Sequence, residues 1–190
     1  MNRAVLLSIQ PWFCSSIFSG EKTLEIRKTK PQIQAPFKCY IYCTQCSQYN
    51  PILPYNYRNK KGGYSKFLTS HVIGEFICDQ IDYLDMDSNG MGFYEGEKFV
   101  YLTDKRWNTG LTRREFLDYS EGKRVYGWHI SNLIIYDTPK LLSDFKKACR
   151  KDLYCESCAM YREYTQMCGN SALILRHPPQ SWCYVQEDNR

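Results

Sequence analysis

Apolar and polar positions along this chain alternate with period two in many short runs and recur at helical spacing in few, so the pattern predicts several strands and short helices. Ala4 to Ile9 predicts a buried strand. Pro11 then opens a helix whose apolar positions are Trp12, Phe13, Ile17 and Phe18, and Gly20 stops it. In the run that follows, Thr23, Glu25 and Arg27 project from one face while Leu24 and Ile26 project from the other. Lys22 sits in the turn beside them. A carboxylate one strand repeat from a guanidinium suits either a fixed ion pair or a site where a planar polar ligand meets donor and acceptor together.

Further along, Phe37 to Thr44 reads as a central strand, and Val72 to Ile81 and Lys98 to Leu102 read as two more. Asp85 to Gly96 reads as a turn-rich connection. Thr112 and Glu115 form a capping box at the start of a short helix running to about Glu121 and ended by Gly122. Val125 to Tyr136 is the longest strand candidate. Tyr126, Trp128, Ile130, Ile134 and Tyr136 share its core face, and Gly127, His129 and Ser131 leave room for a neighbour on the other. Leu141 to Ala148 suggests a helix, a Cys-rich segment follows, and Pro178 to Val185 supplies a last strand. This pattern predicts an α+β fold, a small mixed β-barrel with short flanking helices and a Cys-rich C-terminal elaboration. The barrel is expected over residues 1–140, with residues 141–190 packed on the same domain.

At 190 residues the chain has material for one full core. A net charge of +5 does not by itself announce nucleic-acid binding. Arg58, Lys60, Lys61 and Lys66, however, have no acid between them and lie among Asn, Gly and Tyr, as in a solvated loop or one that contacts phosphates. The N-terminal apolar run is too short for a signal peptide and no stretch approaches ~20 apolar residues, so a soluble, cytoplasmic protein with no membrane partner is expected. Ten cysteines in a reducing compartment call for burial, catalysis or metal.

Leu6-Leu7-Ser8-Ile9-Gln10-Pro11, the element from Gly20 through Lys22, Glu25 and Arg27, Val72-Ile73-Gly74-Glu75-Phe76 and Gly127-Trp128-His129-Ile130 together resemble an ASCH domain of the PUA-like superfamily. The resemblance extends to phage and Firmicute members of that family. It implies a β-barrel that binds RNA or a modified nucleoside in a cleft near the strand carrying the lysine, glutamate and arginine. It also raises the alternative of an amidohydrolase acting on N4-acetylcytidine-type nucleosides, or of a ribonuclease. The hydrolase branch uses a lysine, a threonine and a glutamate. Its lysine falls on Lys22, but its threonine falls on Glu25, which can act as a base or positioning group and not as a hydroxyl nucleophile. Thr23 is the nearest hydroxyl. Glu115 is the nearest counterpart of the branch's glutamate, although the capping box already occupies it. A protein-interaction module of a phage or mobile element is a third reading.

The candidate ligand cleft comprises Ser8, Trp12, Lys22, Glu25, Arg27 and His129. Lysine and arginine attract a phosphate, and the carboxylate accepts from a nucleobase amine. The alternative is a structural Glu25–Arg27 pair, with Glu75 as a further partner. Trp12, Tyr126, Trp128 and Trp182 suit either base stacking or core packing. His129 with Ser131 suggests a base and a nucleophile but shows no acid to orient the ring. Cys149, Cys155, Cys158 and Cys168 have a spacing that suits a structural zinc, with buried or oxidisable thiols as the alternative. Cys39, Cys43 and Cys46 have some metal-like spacing too, but Cys39 and Cys43 share one strand face and read as buried small residues. No organic cofactor is expected.

Overall fold

The computed structural model describes residues 3–45, 69–86, 90–95, 98–102, 108–149, 159–162 and 167–187. Strand β1 (Arg3–Ile9) leads into helix α1 (Pro11–Phe18), whose Pro11 occupies the first turn, where a missing N–H costs nothing. Gly20, at φ +76°, turns the chain into β2 (Leu24–Arg27). There follow β3 (Phe37–Cys43), β4 (His71–Cys78), β5 (Ile81–Met86), β6 (Met91–Glu95), β7 (Lys98–Tyr101), helix α2 (Arg113–Ser120), β8 (Val125–His129) and β9 (Ser131–Leu141). A two-residue hairpin, β10 (Tyr161–Arg162) with β11 (Met167–Cys168), precedes β12 (Trp182–Gln186).

These strands form two five-stranded sheets, so the expected sheet-rich α+β architecture is observed. The first runs β12-β1-β3-β4-β9 and the second β2-β8-β5-β6-β7. Within the first, β1 and β3 are parallel, joined by the crossover through α1 and β2, and the other pairs are antiparallel.

Alternation assigns each face its own core. Val5, Leu7 and Ile9 of β1 and Cys39, Ile41 and Cys43 of β3 join Trp128 and α1 in the main core. Ala4, Leu6, Tyr40 and Tyr42 point the other way and are covered by Phe145, Leu175 and Val185. Strands β1 and β3 are thus buried on both faces, which is why they read as nearly continuous apolar runs. A third cluster, Ile26, Leu84, Phe116 and Val125, packs α2 against the second sheet.

Four elements differ from the sequence pattern. The strand expected over Val125 to Tyr136 is broken at Ile130, β8 entering the second sheet and β9 the first. Asn132 then adopts a left-handed φ of +48°, which shifts the phase, so that Leu133 and Ile135 pack inward and Ile134 is exposed. The expected connection Asp85 to Gly96 contains the β5–β6 hairpin, paired Leu84 to Phe93 and Met86 to Met91. The run Val72 to Ile81 is one strand only to Cys78. Leu141 to Ala148 is no helix: a single 3-10 turn spans Leu142–Asp144, after which Lys146 and Lys147 make β-bridges to Ile174 and Val185. Glu75 does not join Glu25 and Arg27; it pairs with Lys38 at 3.2 Å and accepts from the Tyr136 hydroxyl.

Candidate functional site

The turn after α1 folds Lys22 inward. Its backbone N–H donates to the Ser16 carbonyl, and Asn108 closes the turn from the far side by accepting from the N–H groups of Thr23 and Leu24. The ammonium donates to the carbonyls of Leu24, at 2.8 Å, and Thr109. The Phe13 ring centroid lies 5.0 Å away. Gly110 has φ +70°, and a Cβ there would lie 3.5 Å from the lysine stem, so the loop runs close over a side chain that is only 3% exposed.

Glu25 stands between two cations. Its Oε2 is 3.3 Å from Lys22 Nζ, and its Oε1 is 2.7 Å from the Arg27 guanidinium. Arg27 also donates to the Ser8 carbonyl at 2.9 Å and to the Ser181 carbonyl and hydroxyl at 3.1 and 3.2 Å. One guanidinium thereby ties β2 to the end of β1 and to the segment leading into β12. All three charged groups are buried, which requires partners at this density. Within these three side chains two atoms remain incompletely met: Glu25 Oε2, which touches Lys22 as an ion pair but accepts no aligned hydrogen bond, and Arg27 Nε.

These residues wall a cavity of about 610 Å³. Ser8, Gln10, Phe13, Lys22, Glu25, Arg27, Lys28, Thr44, Tyr119 and Gln180 contribute to its lining. Lys22 and Arg27 outnumber the one carboxylate of the wall, and Lys28 is paired with Glu121 at 2.7 Å. Burial pushes the Lys22 ammonium below its ordinary range, and the Glu25 carboxylate only partly offsets this. The arrangement can attract an anion, accept from a ligand donor at Glu25, and exchange a proton at a lysine that deprotonates more readily than usual.

The other sequence candidates lie apart from this wall. Thr23 is held by the Asn108 N–H, which donates to its hydroxyl at 2.8 Å. Glu115 completes the capping box of α2, its Oε2 accepting from the Thr112 N–H and hydroxyl at 2.8 and 2.7 Å. Trp12 is 51% exposed on α1, packed edge-on to Phe13. His129 pairs with Leu24 across the β2–β8 ladder, which puts its side chain on the sheet face opposite Glu25 and Arg27. There its Nε2 lies 2.7 Å from Asp82, an acid that the local sequence around His129 does not reveal.

Cys168 is buried and Cys149 half-buried, while Cys155 and Cys158 lie outside the described residues, as do Cys46 and the basic run Arg58 to Lys66. No group of three or more metal-ligating side chains occurs among the described residues. Cys39 and Cys43 are buried in the main core. Sequence reasoning missed Ser181, Gln180, Tyr119 and Thr44, which reach the cavity only through long-range topology. No helix among the described residues is long and apolar enough to cross a membrane.

No family model matches the sequence, and comparison with curated proteins gives no match. Among solved structures, the fold aligns with the crystal structure of ASCH from Zymomonas mobilis at a TM-score of 0.52 and 18% identity, over 97% of this chain and 88% of that one. Two crystal structures of mutants of that protein, one Tyr-to-Phe and one Ser-to-Ala, align over 97% of this chain and 91% and 89% of theirs, at the same TM-score and identity. The chain has the fold of an ASCH domain.

Proposed function

Proceeding from the fold of an ASCH domain, we propose that this protein binds RNA or a modified nucleoside in the cavity walled by Ser8, Lys22, Glu25 and Arg27. The observation that carries the reading is the wall of the cavity, where Lys22 and Arg27 stand on either side of the single Glu25 carboxylate. The Glu25 carboxylate would accept from a nucleobase amine, and Lys22 and Arg27 would favour the phosphate. The cavity volume lies within the ~300–1,000 Å³ common for small-molecule sites. A panel of nucleosides, nucleotides and short RNAs tested by thermal shift checks the proposal. A concentration-dependent rise in melting temperature with at least one member is expected, and none with any member counts against it.

A second reading, an amidohydrolase on N4-acetylcytidine-type nucleosides, is favoured by the depressed Lys22, which gives up its proton more readily than an ordinary lysine, as general acid–base work requires. Lys22 and Glu25 would move protons or position water, since the nearby Thr23 hydroxyl is engaged by Asn108. Acetate release from acetylcytidine, abolished in Lys22→Met, identifies this activity.

A structural zinc held by Cys149, Cys155, Cys158 and Cys168 belongs to the same proposal. Its support is the spacing, together with the burial of Cys168 in a two-residue hairpin that has little core of its own. Folded protein containing less than about half an equivalent of zinc would contradict it.

A further inference from the structure

The side of the second sheet that carries Glu25 and Arg27 continues past the cavity. In the ladder, Arg27 lies opposite Tyr126, and Tyr126 lies opposite Tyr83. Directly opposed residues share a face, so these three side chains form one lateral row across β2, β8 and β5. Along it, exposure rises from buried Arg27, through half-buried Tyr126, to Tyr83 at 45%. The tyrosine rings are 4.8 Å apart between centroids and tilted by 44°.

A cation is fixed over this pair. Lys30 Nζ lies 5.4 Å from the Tyr83 centroid and 5.8 Å from that of Tyr126. Its loop is tethered on either side by β12: Trp182 Nε1 donates to the Thr29 hydroxyl at 3.0 Å, and the Gln32 N–H donates to the Tyr184 hydroxyl at 2.6 Å. Exposed Arg124 lies near enough to bias Tyr83 electrostatically. Arg27 also lines the cavity, so the row and the cavity share that residue.

A free nucleoside has no use for this row. From Arg27 to Tyr83 is two strand spacings, about 10 Å, the reach of about three stacked nucleotides at ~3.4 Å each. Exposed rings beside fixed cations are what a strand of bases and phosphates requires, stacking supplying the contact with each base and the cations that with the backbone. Resting on the cavity reading, we propose that the ligand is a single-stranded RNA, with one nucleotide in the cavity and its neighbours stacked along Tyr126 and Tyr83 under Lys30.

The test compares a nucleoside monophosphate with an RNA of about eight nucleotides, titrated into wild type, Tyr83→Ala, Lys30→Ala and Lys22→Met. Tyr83 and Lys30 are exposed, so their variants fold. The RNA is expected to bind more tightly than the mononucleotide. Tyr83→Ala is expected to weaken RNA about tenfold or more and leave the mononucleotide unchanged. Lys30→Ala is expected to lower the salt slope of RNA binding by about one.

RNA binding no tighter than that of the mononucleotide, or indifferent to Tyr83, overturns the proposal. So does equal binding of an acidic peptide of matched charge, which needs no stacking, or of the matching deoxyoligonucleotide. RNA binding that depends on Tyr83 but not on Lys22 keeps the row and removes the cavity reading.

Discussion

Glu25 Oε1 lies 2.7 Å from the Arg27 guanidinium, and the two side chains are only 7% and 8% exposed. This pair is a latch that also lines the cavity: the terminal nitrogens of Arg27 reach Ser8 and Ser181 as well, while the second oxygen of Glu25 faces Lys22. The ion pair expected from the sequence is formed, and the ligand site proposed above uses the same residues. The consequences separate by which partner is removed.

Glu25→Gln leaves two buried cations without their shared carboxylate. Removing one partner of a buried ion pair costs about 3–5 kcal/mol, so the urea midpoint should fall with little change in the slope. A loss below about 1 kcal/mol, the range of surface pairs, would show the cluster to be solvated.

Lys22 makes stability depend on alkaline pH. Its folded-state pKa is depressed from 10.5, so between that depressed value and 10.5 the unfolded chain binds more protons than the folded one. The stability of wild type relative to Lys22→Met should rise as pH increases through this window and level off above it. A flat difference, or one that falls with pH, contradicts the burial of the ammonium.

Asp82 acts at the other end of the scale. Burial works against its charge, but hydrogen bonds from His129 and Gln80 outweigh this and hold the carboxyl below its usual 3.8. The stability it contributes is present above 3.8 and is lost as pH falls through the folded value. Acid unfolding of Asp82→Asn should accordingly be less steep below about pH 4 than that of wild type.

Glu115 is expected to behave as a cap. Glu115→Ala should lower the melting temperature slightly by weakening the first turn of α2 and leave nucleoside or RNA affinity unchanged. Lost affinity in a folded variant would place the residue in the site after all.

The sequence made Lys22, Glu25 and Arg27 legible because local alternation alone puts the last two on one face, and Gly20 marks the turn that brings the first beside them. Their partners were not legible, since Ser181 meets Arg27 across 154 residues. Gly92 shows how a local signal misleads. It reads as a turn residue, yet it sits within β6, where a Cβ would come 2.3 Å from the Val100 carbonyl, so the glycine marks close approach of β7. Phe145 misled in the other direction: its spacing from Leu141 and Leu142 suggested a helix, while the side chain packs edge-on to Tyr40, with ring centroids 4.9 Å apart, and covers the first sheet.

Calorimetric titration of the ligand found by thermal shift into wild type and into folded Lys22→Met tests the cavity most directly. Saturable binding at one site in wild type, weakened at least about tenfold in the variant (~1.4 kcal/mol), is the predicted result. Equal affinity in the two proteins would contradict the account.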